Sequence, residues 1–364
     1  MGRVVAVVGG GYGGSAVAKA LDPETDVVLV EPKDAFVHSA GALRALVRPD
    51  WAGNMFFPYD RLLKRGRVVR ERAVSADPGG VTLGSGDRIR ADYVVLASGS
   101  GYPFPAKTDT DSTSEALERL RAAHEELSGA GRVLIAGAGP VGLELAGEIK
   151  AVWPDKQVVI IDPAERLVPG FQPEMRADLH RQLDGLGVEL RLGTALAGEP
   201  PVAPGTAKDF TVATTGGNVS AGIWFRCHGV RVHSDYLGEE LAASRTPQGL
   251  VRVTETLSVQ GHDNVYALGD ITDLAEAKMA GYAMRHAEVV AENIIAATRG
   301  ERPTATYRPS PVPSVLLPLG PGGGVGQTPA PDGEGAAVLP AETVAEYKGA
   351  DLFVGRFSEL FGLT

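Results

Sequence analysis

Short apolar runs recur along this chain, and each ends in a glycine turn. RVVAVV (residues 3–8) has no polar position after its arginine. An unbroken apolar run of that length, bounded by a turn, predicts a strand buried on both faces. GGGYGG (9–14) follows, then SAVAKAL at helix-compatible spacing, then a second buried run, DVVLV (26–30), stopping at Glu31. The pattern repeats from residue 132: RVLIAG, the turn GAGPVG (137–142), the helical LELAGEIKAVW, and VVII running into Asp162. Strands alternating with helices predict an α/β fold, and an internal repeat predicts that one strand–turn–helix–strand unit occurs twice.

The spacing carries chemistry. Glu31 lies 22 residues beyond Gly9, and Asp162 lies 25 beyond Gly137. A strand, a glycine turn, a helix and an acid about 20 residues on form a dinucleotide fingerprint. Gly9 and Gly137 make the tight turn, Gly11 and Gly139 let the backbone reach a pyrophosphate, and Gly14 and Gly142 let the helix pack on its strand. Glu31 and Asp162 each accept hydroxyl protons from an adenosine ribose. Two glycine turns without a nucleotide are the bland alternative, and the completeness of both copies counts against it.

Three further segments read as apolar strands closed by glycine turns. DYVVLASGSGYPFP (92–105) and IWFRCHGVRV (223–232) stand where the chain would cross between the two units. HDNVYALGDITD (262–273) runs into Gly269-Asp270, where an aspartate at a strand end can bind a ribitol hydroxyl or simply cap a turn.

Composition narrows the function. With 364 residues and 44% hydrophobic content the chain can bury a full core. A net charge of −10 argues against nucleic acid as a partner and against charge-driven docking on an anionic membrane. Cys227 is the only cysteine, which excludes a disulfide framework, a CxxC redox centre and a multi-cysteine metal site. The first strand begins without a preceding signal-peptide pattern, and no stretch reaches the apolar length of a membrane span, so a soluble cytoplasmic protein is expected.

VVGGGYGG, VEPKDAFVHSAGALRA, YPFPAK, GPVGLELAGEIKAVWPDKQV, GHDNVYALGDITD and AKMAGYAMRHAEVVAENI together resemble the two-dinucleotide-binding flavoprotein superfamily. Within it, the likeness is to the branch of apoptosis-inducing-factor-like and ferroptosis-suppressor-protein-like members, related to type II NADH dehydrogenases. It covers most of the chain. It implies two Rossmann-like domains, the first unit binding FAD and the second NADH, with NADPH as a further possibility. The FAD domain is then split into residues 1–106 and 229–300, the NAD(P)H domain is inserted at 107–228, and a small α+β C-terminal domain occupies 301–364. DTDSTSEALERLRAAHEELSGAGR bridges into the insertion, with Ser112 and Glu115 spaced as a capping box and Leu117, Leu120 and Leu127 on one helical face.

The expected FAD set is Gly9, Gly11, Gly14, Glu31, Pro32, Lys33, Arg44, Ala97, Ser98, Gly99, Gly269, Asp270, Lys278 and Met279. Of these, the resemblance places Lys33-Asp34 over the ribityl-phosphate region, with Arg44 in support. The expected NAD set is Gly137, Gly139, Gly142, Glu144, Asp162 and Gly229. Asp162 favours the ribose diol of NADH over the 2′-phosphate of NADPH, and Arg166 could soften that preference.

Three side chains are the catalytic candidates. A helix starting near Ala277-Lys278-Met279 would aim N–H groups at the flavin, and Lys278 would add charge there or stand in solvent. Glu144 shares a helix face with Glu148. The resemblance implies that Glu144 lies near nicotinamide or flavin, against the alternative of an exposed pair. His38, where relatives place residues beside the flavin, would hydrogen-bond an acceptor or supply a proton near neutral pH, against the alternative of a packed histidine.

A lone cysteine cannot store two electrons, so the acceptor must meet the flavin directly. A flat, apolar quinone suits that demand, while oxygen and a small iron–sulfur protein are other acceptors. A reductase serving a ferredoxin or an oxygenase, and a nucleotide-sensing interaction protein, remain as alternative functions. The C-terminal DLFVGRFSELFGLT spaces Leu352, Phe353, Phe357, Leu360 and Phe361 as one face but lacks a basic polar face. Packing on the body or on a dimer partner is expected, with peripheral membrane contact as the alternative; the protein is read as a monomer or homodimer.

Overall fold

The computed structural model describes residues 2–332 and 334–363. It is a mixed α/β fold organised around two parallel sheets. In the first, the strands run in the order Val265–Ala267, Tyr93–Leu96, Val4–Val8, Asp26–Val30, Arg67–Val69. In the second the order is Val188–Leu192, Gln157–Asp162, Arg132–Ala136, Ile223–Arg226. The sequence repeat is therefore a structural repeat: in each copy the strand before the glycine turn lies inside the sheet beside the strand that ends in the acid. Both strands are almost fully buried, as their unbroken apolar runs require.

The chain leaves the first sheet and returns to it through one short antiparallel ribbon. Ser100–Gly101 pairs with Arg231–Val232, so the two crossing segments read from the sequence lie side by side. The helix Thr113–Gly129 follows the outward crossing. Ser112 caps it, accepting the Glu115 N–H at 3.4 Å. The reciprocal half of a capping box is absent, because the Glu115 carboxylate instead takes the Thr110 hydroxyl. Leu120 and Leu127 are buried, as their spacing predicts.

The last part of the chain forms a three-stranded antiparallel sheet, Val315–Pro318, Gly324–Pro329 and Ala336–Leu339, followed by a π-helical turn at Ala345–Gly349 and the helix Val354–Leu360. This helix packs on the body. Phe357 and Phe361 stack against Phe36, with ring centroids 5.4 and 4.9 Å apart, and both are buried. Burying a side chain of that size contributes roughly 1.5–3 kcal/mol. The Lys19 ammonium donates to the Leu360 carbonyl, and Arg61 to that of Gly362. The apolar face expected from DLFVGRFSELFGLT is thus occupied within the chain. Among the described residues, no helix is long and apolar enough to cross a membrane.

Candidate functional site

The two glycine turns share the same backbone plan. Gly9 and Gly137 sit at φ +102° and +118°, where a side chain would be strained. Each also lies under the adjacent strand end: a Cβ on Gly9 would fall 2.5 Å from the Ala97 carbonyl oxygen, and one on Gly137 2.5 Å from that of Cys227. Gly14 and Gly142 press against the carbonyls of Gly9 and Gly137, leaving no room for a methyl group. Gly11 and Gly139 differ: nothing lies within 4 Å of where a Cβ would stand. Each is the N-cap of its helix, with no side chain capping it. Free helix N–H groups facing open space are what a pyrophosphate requires, so both turns fit a dinucleotide.

The acids repeat as well. Glu31 accepts N–H bonds from Gly10 at 2.6 Å and Lys33 at 3.0 Å. Asp162 accepts from Ala138 at 2.7 Å and Ala164 at 2.8 Å. Each carboxylate is thereby fixed at the strand end, one step from its turn. Glu31 is the more enclosed, and burial outweighs its two N–H donors to raise its pKa above the usual range. Tyr59 closes the first turn from below, donating to the Gly10 carbonyl at 2.8 Å.

Gly269-Asp270 forms a short turn after the strand Val265–Ala267. The Asp270 carboxylate accepts the Ser100 hydroxyl at 2.5 Å and stands 3.4 Å from the Lys107 ammonium. Lys107 lies in the YPFPAK segment but was not singled out from sequence, because spacing along the chain does not reveal a contact across 163 residues. The helix Ala280–Thr298 begins nearby with Met279 as N-cap, again with no side-chain cap. Ala97 lies against Gly9, while Ser98 donates to the His233 carbonyl and His233 N–H donates to that of Gly99, which ties these residues to the returning crossing. Gly229 sits at φ +99° on the same crossing.

The helix Pro140–Val152 carries two carboxylates, each answered from a different part of the chain. Glu144 Oε1 accepts the Lys348 ammonium at 2.9 Å, and Lys348 also donates to the Leu316 carbonyl. Glu148 accepts Nε and Nη2 of Arg44, the shortest bond being 2.7 Å, with both side chains almost fully buried. Neither is an exposed helical pair. Burial is the largest influence on Glu144 and raises its pKa, Glu148 adding to the rise while Lys348 opposes it. Lys348 is the residue that sequence reasoning missed; it stands three residues before the quoted DLFVGRF, in the π-helical turn.

Four of the expected residues have partners of their own within the chain. Arg44 directs its remaining donors to the carbonyls of Gly349 and Ala350, so it clamps the helix Ala42–Val47, Glu148 and the C-terminal segment together. The Lys33 ammonium donates to the Thr110 carbonyl and Asp34 accepts from Thr113, which ties both to the bridging segment. The Lys278 ammonium donates to the Thr272 carbonyl at 2.7 Å, and burial lowers its pKa.

The fourth concerns His38, which is buried and has both nitrogens engaged. The Ala40 N–H donates to the Tyr12 hydroxyl, the hydroxyl reaches His38 Nδ1 at 3.1 Å, and His38 Nε2 reaches the Leu352 carbonyl at 2.6 Å. That order of donors leaves the proton on Nε2. Burial pushes the imidazole down to about 4, so His38 is a neutral joint under the C-terminal helix and not a proton source near neutral pH. Cys227 is buried beneath Gly137, with its thiol pushed up to about 12 by burial.

The chain matches the family model described as pyridine nucleotide-disulphide oxidoreductase over residues 3–297. Among curated proteins it is 33% identical to ferroptosis suppressor protein 1 of Taeniopygia guttata, over 99% of this chain and 96% of that protein. It is 30% identical to the Homo sapiens protein of the same name, over 89% and 88%. Apoptosis-inducing factor homolog B of Dictyostelium discoideum is 29% identical, over 89% of each. Among solved structures the fold matches the sulfide:quinone oxidoreductase of Aquifex aeolicus with a TM-score of 0.75 at 18% identity, covering 99% of this chain and 91% of that one. It also matches NDH2 of Plasmodium falciparum in complex with NADH, with a TM-score of 0.72 at 12% identity, covering 99% and 98%.

Proposed function

This chain belongs to the pyridine nucleotide-disulphide oxidoreductase family and is an FAD-dependent oxidoreductase of NAD(P)H; from that premise we propose that it passes electrons from NADH to a quinone-like acceptor without a redox disulfide. One observation carries the reading. The only cysteine is sealed under a glycine turn with its thiol held protonated, so no thiol relay stands between flavin and acceptor.

We assign FAD to the domain of residues 1–106 and 229–300, held at Gly9, Gly11, Gly14, Glu31 and Asp270, with the uncapped helix start at Met279 facing the ring. NADH is assigned to residues 107–228, held at Gly137, Gly139, Gly142 and Asp162. When bound, FAD supplies two-electron chemistry, accepting a hydride from reduced nicotinamide and giving up electrons to the acceptor. The protein's part is positioning. Asp162, fixed by two backbone donors, offers a charged acceptor to a ribose diol and repels a 2′-phosphate. Glu144, held by Lys348, orients a carboxamide and can hold a proton at Oε1. The N-terminus of Ala280–Thr298 supplies positive potential where the reduced ring carries negative charge.

The test is an anaerobic titration of the flavin-loaded protein with NADH, followed by a short-chain quinone. Rapid bleaching of the flavin absorbance and full recovery on quinone is the expected outcome. Bleaching without recovery would discard the quinone-like acceptor, and a persistent long-wavelength band would point to a stable nucleotide complex instead.

A further inference from the structure

Behind the Gly269-Asp270 turn lies a buried polar chain that nothing in the proposed reaction uses. His286, on the helix Ala280–Thr298, is 1% exposed. Its Nδ1 accepts the Gly269 N–H at 3.0 Å, and its Nε2 meets Glu276 Oε1 at 2.7 Å. Glu276 Oε2 accepts the Tyr307 hydroxyl at 2.6 Å, and the Tyr307 ring stands edge-on to the imidazole with centroids 4.3 Å apart. A backbone N–H can only donate, so His286 Nδ1 must offer a lone pair and the ring proton must sit on Nε2, directed at Glu276. The bonding alone dictates the tautomer. Each link joins a different element: the turn after Val265–Ala267, the long helix, the loop before it, and the segment after it.

We propose that His286 and Glu276 are positioning residues for FAD, holding the Gly269-Asp270 turn in its ligand-binding form only while His286 Nδ1 is unprotonated. The proposal rests on the reading of that turn as part of the FAD site. A proton on Nδ1 would face the Gly269 N–H donor to donor, and the turn would lose its support from behind. Ser100 and Lys107 grip Asp270 from the other side, so the loss falls on FAD affinity and not on the fold.

The charges around the ring set the direction. Burial is the largest influence and lowers the His286 pKa; Glu276 and Asp270 favour the charged ring, and Lys278 opposes it. From the segment after the helix, Tyr307 faces Glu276, and Arg285 acts on Tyr307. An imidazole released from this site would titrate near its ordinary value of about 6.5. The held form therefore binds fewer protons than the released form below that pH. FAD affinity is complete above about pH 6.5 and falls as pH drops through it, by up to about tenfold per pH unit.

The experiment follows FAD release from the flavin-loaded protein by flavin fluorescence after dilution, between pH 5 and 8. Wild type, His286→Asn and Glu276→Gln are compared, with Asp270→Ala as control. An asparagine at 286 offers an oxygen acceptor near the Nδ1 position and does not titrate. The wild type should release FAD increasingly below pH 6.5, and His286→Asn should flatten that dependence. Glu276→Gln keeps an acceptor for Nε2 but removes the charge that favours the protonated ring in its held form, so the fall in affinity should continue to lower pH than in wild type. The wild-type pH dependence in either variant overturns the proposal; if His286→Asn does not fold, Glu276→Gln decides alone. Asp270→Ala separates the premise from the inference. If it keeps FAD as well as wild type at pH 8, the turn does not hold FAD. If it loses FAD while the other two variants track wild type, the turn reading stands and the relay falls.

Discussion

Lys348 and Glu144 meet at 2.9 Å although 204 residues separate them in the chain. The lysine rises from the π-helical turn of the C-terminal unit, and the glutamate faces it from the first turns of the helix behind the second glycine turn. Four residues along the same helix, Glu148 is met by Arg44 from the first unit. One helix thus presents two carboxylates to two cations of different origin. Its position relative to both neighbours is thereby fixed.

Removing Lys348 should act through Glu144. In Lys348→Met the carboxyl keeps its burial and its like-charged neighbour Glu148 but loses the group that opposes them, so its already raised pKa climbs further. Glu144 then takes up its proton at a higher pH than in wild type. Flavin reduction by NADH should slow on the acid side, by up to about tenfold per pH unit of displacement, with the acid limb of the rate profile moved to higher pH. Stopped-flow reduction between pH 5 and 9 reads both. An unchanged profile would reduce the pair to scaffold.

The Arg44–Glu148 pair is buried on both sides, and its worth lies in not being broken. Arg44→Met strands a carboxylate, and Glu148→Leu strands a guanidinium, each at a cost of about 3–5 kcal/mol. The double variant leaves no orphan charge and should recover much of that loss. Urea unfolding of the four proteins gives the cycle. Additive losses would mean that the two side chains do not depend on each other.

Two glycines of this helix region separate binding from packing. Gly139 has open space at its Cβ position, so Gly139→Ala should fold as well as wild type yet weaken NADH binding, because the methyl group stands where the backbone must approach the pyrophosphate. Gly147 is the reverse. A Cβ there would fall 2.5 Å from Leu319 Cα, which is backbone and cannot swing away. Gly147→Ala should cost about 1–3 kcal/mol by lifting the C-terminal sheet, with NADH binding by the second unit retained. Thermal melting and NADH titration of both variants test this, and a melting loss in Gly139→Ala with none in Gly147→Ala would contradict the contact geometry.

What could be read from the sequence, and what could not, follows from range. Val4–Val8, Arg132–Ala136 and their partner strands are legible because a strand buried on both faces writes itself as an unbroken apolar run. The glycine turns and the acids Glu31 and Asp162 are legible because their chemistry is local and their spacing is set by one strand and one helix. The partners of Arg44, His38 and Lys278 are not legible, because spacing along the chain does not reveal Glu148, Leu352 and Thr272. The same holds for Lys348 and Lys107. A cation in a loop has no periodicity, and only the folded chain shows which carboxylate it meets.

Asp162 provides the sharpest test of nucleotide choice, because its removal does two things at once. In Asp162→Ala the negative charge at the strand end disappears, and the N–H groups of Ala138 and Ala164 that it accepted become free donors. A 2′-phosphate loses a repulsion there and gains two hydrogen-bond donors, with the exposed Arg166 four residues on as a further attraction. The ribose diol of NADH loses its acceptor. The ratio of kcat/KM for NADPH over NADH should therefore rise by about fivefold or more, since removing one close like-charge contact is worth at least about 1 kcal/mol at the protein surface. Flavin content should stay at the wild-type level, because Asp162 belongs to the second unit. Steady-state kinetics with both nucleotides and a flavin spectrum decide the matter. A ratio that does not move, in a variant that keeps its flavin, would take the 2′-position of the ribose away from Asp162.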